Sequence, residues 1–174
     1  MEYRVLSRTE IGKLTEMDRT ETVDYVYRLH DGKLRLEKEH WDVADWDASE
    51  KQRRIAGLQK GYDHGDTLFG AFDGSTLVGV SVLDQYTLPK VAGRFNLAGL
   101  WVSRKFRGKG VGRTLVSLIM DKARELGAKT LYASGTHSEN TVRFYLSMGF
   151  RLADPVDPDL YEAEPEDIHM EQGL

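Results

Sequence analysis

Three glycines spaced by single residues, in Arg107-Gly108-Lys109-Gly110-Val111-Gly112-Arg113, constrain this chain more than any other stretch. An apolar segment from about Phe95 to Val102 precedes them and reads as a strand. After them, Val111, Leu115, Leu118, Ile119, Ala123 and Leu126 share one helix face, and Gly127 stands where a C-cap is expected. A helix start leaves backbone N–H groups without intrahelical partners and carries positive potential. Glycines let a phosphate reach those groups with no Cβ in the way. Arg107, Lys109 and Arg113 add charge, and each charge-assisted bond contributes about 1.5–3 kcal/mol. The ligand implied is a pyrophosphate. A dinucleotide-binding turn would need a third glycine where Arg113 stands, and the Gly-Lys-Ser/Thr ending of a P-loop is absent. Taken alone, the turn also fits a tight strand-to-helix connection with solvated basic residues.

The rest of the chain supplies a frame for that turn. Its 174 residues favour one domain. Glu2 to Ser7 reads as a short strand, and Thr9 can cap a helix to about Met17 with Ile11 and Leu14 inward. Tyr25–Leu29 and Lys33–Glu37 flank His30-Asp31-Gly32 as a hairpin. An aromatic, acidic loop follows from His40 to Asp47, and Ser49 opens a helix through Gln59. Thr67–Phe72 and Thr76–Leu83 make a second hairpin about Asp73-Gly74-Ser75. Thr130–Ala133 is a strand, Ser138–Met148 a short helix, and Phe150–Ala153 and Ile168–Glu171 are strands joined by an acidic loop. This order predicts a mixed α/β sandwich.

Lys and Arg total 24 against 28 for Asp and Glu, a formal charge of −4 that argues against a broad nucleic-acid surface. There is no cysteine, which excludes disulfides, thiolate zinc sites and a cysteine nucleophile. The start carries Glu2 and no apolar h-region, and no apolar run nears the ~20 residues of a membrane helix, so a cytoplasmic location is expected.

Leu100-Trp101-Val102, then Arg107-Gly108-Lys109-Gly110-Val111-Gly112, resembles motif A of the GNAT N-acetyltransferase superfamily. Downstream, Asn140-Thr141-Val142-Arg143-Phe144-Tyr145-Leu146-Ser147-Met148-Gly149-Phe150 resembles its motif B, in the same order and at a matching distance. The resemblance implies a mixed, mostly antiparallel sheet with a splayed central strand pair, flanked by helices on both faces. It implies a single domain over 1–174, with an acceptor-side part at 1–66, an acyl-CoA core at 67–153 and a C-terminal strand and loop at 154–174. It also implies that acetyl-CoA is the donor and that no metal takes part. Backbone groups of Leu100, Trp101 and Val102 would lie along the pantetheine arm, and Arg107, Gly108, Lys109, Gly110, Val111, Gly112 and Arg113 would hold the pyrophosphate. Asn140 would reach the coenzyme from the next helix. Thr141 and Val142 stand where an alanine is common, and Asn96 stands where some relatives have a glutamate base.

The activity so implied is acetyl transfer to a primary amine of a small molecule or peptide, by a monomer or homodimer. Without a cysteine, direct attack by the amine is simpler than a covalent relay. A lysine-like amine is neutral in under ~0.1% of molecules at pH 7, so its proton must be removed. Tyr145 matches the family's partner for the departing sulfur. A phenol of pKa ~10 is expected to donate a hydrogen bond rather than transfer its proton to a thiolate of conjugate pKa ~8.5. Asp84, Glu39, His64 and His137 are candidate bases, with none assigned. His40-Trp41-Asp42-Val43-Ala44-Asp45-Trp46-Asp47 could line a cationic-amine pocket or simply anchor a loop. Two rival readings are an acyl-CoA sensor without turnover and a nucleic-acid module using Arg104, Lys105, Arg107, Lys109 and Arg113. No membrane partner is expected.

Overall fold

A computed structural model describes residues 1–174 except 87, 89 and 90. The chain runs through β1 (Glu2–Val5), β2 (Glu21–His30), β3 (Lys33–Val43), α1 (Ala48–His64), β4 (Thr67–Asp73), β5 (Thr76–Asp84) and β6 (Arg94–Val102). It continues through α2 (Val111–Glu125), β7 (Thr130–Gly135), α3 (Glu139–Ser147), β8 (Arg151–Leu152), α4 (Pro158–Ala163) and β9 (Ile168–Gly173). Seven strands form one sheet in the order β1-β4-β5-β6-β7-β9-β8, while β2 and β3 pair as a separate ribbon. Every pairing is antiparallel except β6 with β7.

That exception positions the site. β6 and β7 pair only from Arg94↔Thr130 to Asn96↔Tyr132, and then diverge. β6 runs on to Val102 and β7 to Gly135. β6 also carries a bulge at Ala98, where its register against β5 shifts between Gly99↔Val82 and Leu97↔Leu83. The splayed central pair implied by the motifs is therefore present.

Helices cover both faces of the sheet. On one, Val116, Ile119, Met120 and Ala123 of α2 join Val142 and Tyr145 of α3 over Leu97, Leu131 and Ala133. On the other, Leu6, Ile11, Leu14, Met17 and Ile55 of α1 pack over Leu68, Leu77, Val80 and Val82. Burying side chains of this size contributes roughly 1.5–3 kcal/mol each against the chain entropy lost on folding.

Four local expectations are revised. The segment expected as a helix from Thr9 is a 3-10 turn over Glu10–Glu16, and Thr9 makes no side-chain cap. Ile11, Leu14 and Met17 are all buried at a spacing of three, which matches the three residues per turn of a 3-10 helix. The expected loop from His40 is strand as far as Val43, because β2 begins at Glu21 and pairs Val43, Asp42 and Trp41 in turn. Asp47 rather than Ser49 starts α1, in a capping box with Glu50, and Gly65 ends it at φ 110°. A further helix, α4, occupies the C-terminal acidic loop, capped by Asp157 with Pro158 in its first turn.

Candidate functional site

Gly110 is the N-cap of α2 at φ 85°, with no side chain capping the first turn and no acidic residue in it. The first N–H groups of that helix are therefore left for an outside partner. Gly108 also has a positive φ, 70°, and a Cβ built at Gly108 or Gly110 would meet nothing within 4 Å. Glycine is needed at both for backbone conformation, and the space before them is open.

That space is a cleft of about 800 Å³ between β6 and α3. Leu100 and Val102 line one wall, Asn140, Phe144 and Tyr145 the other, and Gly108, Gly110, Gly112 and Arg113 close one end. Beyond Asn96, β6 pairs with no strand on its β7 edge among the described residues, so its free main-chain groups suit an extended amide-bearing ligand. Val102 contributes less than its position suggests, since its carbonyl accepts from Arg107 Nε at 2.9 Å.

The basic residues divide unexpectedly. The Arg107 guanidinium is turned into the protein, donating to the carbonyls of Val102, Thr20 (3.2 Å) and Arg19 (3.0 Å) and pairing with Glu21 at 3.1 Å. It ties the glycine turn to the start of β2. Lys109 leans over the Phe106 ring at 5.5 Å. Arg113 lines the cleft and touches Ser147 Oγ at 3.0 Å, and Arg104, considered in the sequence only for a nucleic-acid surface, lines it as well. Val111 is buried in the core, so only its backbone can serve a ligand. The Trp101 side chain packs with Trp46 at 5.6 Å, on the face opposite Leu100. Thr20, Glu21 and Thr22 also line the cleft, and sequence reading missed them because they lie some eighty residues upstream with no motif of their own.

Tyr145 is 5% exposed and lies between the rings of Phe144 (5.3 Å) and Phe150 (5.1 Å). Its hydroxyl makes no hydrogen bond with a described residue, yet the side chain lines the cleft. Burial, and then the charge of Asp167, push its pKa well above that of an ordinary phenol. Asn140 donates to Glu21 Oε1 at 3.2 Å across the cleft mouth.

None of the four candidate bases lines the cleft. Asp84 is buried and faces Asn96 in register. Glu39 pairs with Arg28 at 2.5 Å, and His64 Nδ1 lies 2.7 Å from the Lys60 carbonyl. His137 rests on Trp41 at 5.5 Å. The cationic pocket considered at 40–47 is not assembled. Asp42 accepts from Thr22, Asp45 pairs with Lys51 at 2.8 Å, Asp47 caps α1, and Trp46 is buried beneath Arg54. Among the described residues, no group of three or more His, Cys, Asp or Glu could hold a metal, and no helix is long and apolar enough to cross a membrane.

Comparison with known proteins accords with this geometry. Residues 24–150 match the acetyltransferase (GNAT) family. The chain is 31% identical over 107 residues to the uncharacterized N-acetyltransferase YvbK of Bacillus subtilis, a match spanning 61% of this chain and 66% of that protein, just under two thirds. Among solved structures it resembles nourseothricin acetyltransferase, with a TM-score of 0.75 and 24% identity, covering 99% of this chain and 97% of that one. It also resembles the PaiA N-acetyltransferase of Thermoplasma acidophilum in complex with coenzyme A, at a TM-score of 0.63 and 19% identity over the whole of both chains.

Proposed function

The chain belongs to the GNAT acetyltransferase family, and from that premise we propose that it moves an acetyl group from acetyl-CoA directly to a primary amine of a small molecule or peptide. One observation carries the reading: the uncapped start of α2 and the Tyr145 side chain line the same cleft. Diphosphate bound at Gly108–Arg113 would run the pantetheine arm along Leu100–Val102 toward the phenol. Arg113 and Arg104 supply the positive side chains, while Arg107 holds the turn in shape. The whole of 1–174 acts as one unit in this reading, since the start of β2 forms part of the coenzyme cleft.

In the reaction, the amine nitrogen attacks the thioester carbon, a C–N bond forms, and the C–S bond breaks with its electron pair going to sulfur. Tyr145 donates a hydrogen bond to that sulfur. Full proton transfer from so perturbed a phenol is unfavourable, so its role is to stabilise the developing thiolate.

Calorimetric titration with coenzyme A and acetyl-CoA, followed by mass spectrometry of products from an amine and peptide library, tests the reading. Nourseothricin belongs in that library because of the structural likeness. Uptake of the coenzyme and a product heavier by one acetyl group on nitrogen are expected. No binding by folded protein at millimolar coenzyme overturns the proposal, and binding without product would mark an acyl-CoA sensor instead.

A further inference from the structure

The coenzyme cleft offers no free carboxylate for the proton of the amine. Glu21 is the one acid among its described lining residues, and Arg107 and Asn140 engage it at 3.1 and 3.2 Å. A second cavity, of about 410 Å³, opens between β2 and the segment leading into β9. Tyr27 and His30 line it from β2, with Tyr161, Glu166, Asp167 and His169 opposite. Asp167 directly precedes Ile168, which pairs with Gly135 at the end of β7. Gly135 is also where the Tyr145 ring rests. Tyr145 lines the first cleft and Asp167 the second, and burial, then the negative charge of Asp167, raise the pKa of the phenol. The two cavities thus approach each other at the open end of the splay.

We propose that this second cavity receives the acceptor as a cationic amine, and that Asp167 holds the ammonium and takes its proton beside the thioester. The inference rests on the acetyltransferase reading above. Among the described residues the Asp167 side chain has no hydrogen bond or ion pair. The charged groups around it are otherwise engaged. Arg28 is held by Glu37 and Glu39, and His30 lies 2.7 Å from Glu37. His169 lies between the Tyr132 hydroxyl at 2.8 Å and the Glu164 carbonyl at 3.1 Å. Glu164 accepts from Ser134, and Glu166, which lines the same cavity, adds negative charge rather than a counter-ion. A half-buried carboxylate with no cation of its own favours one brought by the ligand, and the aromatic side chains of Tyr27 and Tyr161 line the same cavity.

Burial, reinforced by Glu164 and Glu166, pushes the Asp167 carboxyl up to about 6. It therefore stays mostly ionised at pH 7 while being a stronger base than an ordinary aspartate. The step balances. The ammonium passes one proton to Asp167, and the neutral nitrogen then forms the C–N bond as the C–S bond breaks. The second N–H proton leaves as the amide forms and neutralises the thiolate, so coenzyme A departs as the thiol. Asp167 returns its proton to solvent.

The test compares wild type with Asp167→Asn and Asp167→Glu, using lysine, spermidine and aniline as acceptors. Thermal melting checks that each variant folds. Asp167→Asn should bind coenzyme A within about two-fold of wild type, while kcat/KM for the better cationic amine falls ~10²-fold or more. The acid limb of its pH–rate profile near 6 should vanish, and Asp167→Glu should restore part of the rate. An unchanged rate and pH profile in folded Asp167→Asn overturns the proposal. So does a wild type that binds acetyl-CoA but acetylates aniline alone or none of the three. Wild type that fails to bind coenzyme A overturns the donor reading instead.

Discussion

The ring of Tyr145 lies directly on the backbone of Gly135, so that a Cβ built at Gly135 would sit 2.9 Å from Tyr145 Cε2. The end of β7 and the middle of α3 are thus locked together at the point where β7 has left β6. The absence of a side chain at Gly135 sets where the phenol stands.

Gly135→Ala should therefore move the ring. Overpacking at a buried contact costs about 1–3 kcal/mol, and a fall in thermal midpoint measures it. Turnover should drop more than coenzyme affinity, because the glycine turn lies elsewhere. A variant with full turnover would mean that the position of the ring does not matter to chemistry.

Tyr145→Phe keeps the packing against Phe144 and Phe150 and removes only the hydroxyl. By analogy with loss of one oxyanion donor, kcat should fall ~10²–10³-fold. Affinity for coenzyme A, followed by calorimetry, should stay within a few-fold. Thiol release at the wild-type rate would remove Tyr145 from the mechanism.

Gly110→Ala places a Cβ on a residue at φ 85°. The left-handed conformation costs an L-residue roughly 1–2 kcal/mol, and the turn can relax only by re-aiming the amides at the start of α2. Coenzyme A affinity should fall ~10-fold or more, with a smaller loss of stability. Equal affinity in the variant would show that the diphosphate is gripped elsewhere.

Asp66 provides a pH test away from the cleft. Burial, then the charge of Asp84, push its carboxyl up to about 6, with His64 opposing. A carboxyl raised on folding binds more protons in the folded than in the unfolded state between its ordinary range and about 6. Its charge thus opposes folding at pH 7, and that penalty fades as pH falls through 6 toward 4. Asp66→Asn should raise the thermal midpoint at pH 7 relative to wild type, and the gain should shrink toward pH 4. A constant difference across that range would contradict the assignment.

Much of the cleft's lining was legible because its signals are local. The positive φ of Gly108 and Gly110 is a property of their own backbone, and Tyr145 and Asn140 stand within one motif on one short helix. What the sequence leaves open is a side chain's partner when that partner is remote. Arg107 lines the cleft as the glycine turn implied, yet its guanidinium also donates to the carbonyls of Arg19 and Thr20. Asp45 was weighed as part of a cation pocket, yet Lys51 neutralises it. Spacing alone also suggested a helix capped by Thr9 where a 3-10 turn spans Glu10–Glu16, since apolar residues three apart suit either form.

The sequence by itself determined the glycine-bounded helix start, the strand before it and the phenol after it, because backbone conformation and periodicity are written in neighbouring residues. Only the tertiary structure decided which charges remain available. It turned Arg107 inward, brought Glu21 across to Asn140 over 119 residues of chain, and paired Ile168, the residue after Asp167, with the Gly135 on which the Tyr145 ring rests. A charge acts through its distance to other charges and its depth below solvent, and both are fixed only when strands far apart in the chain pack together.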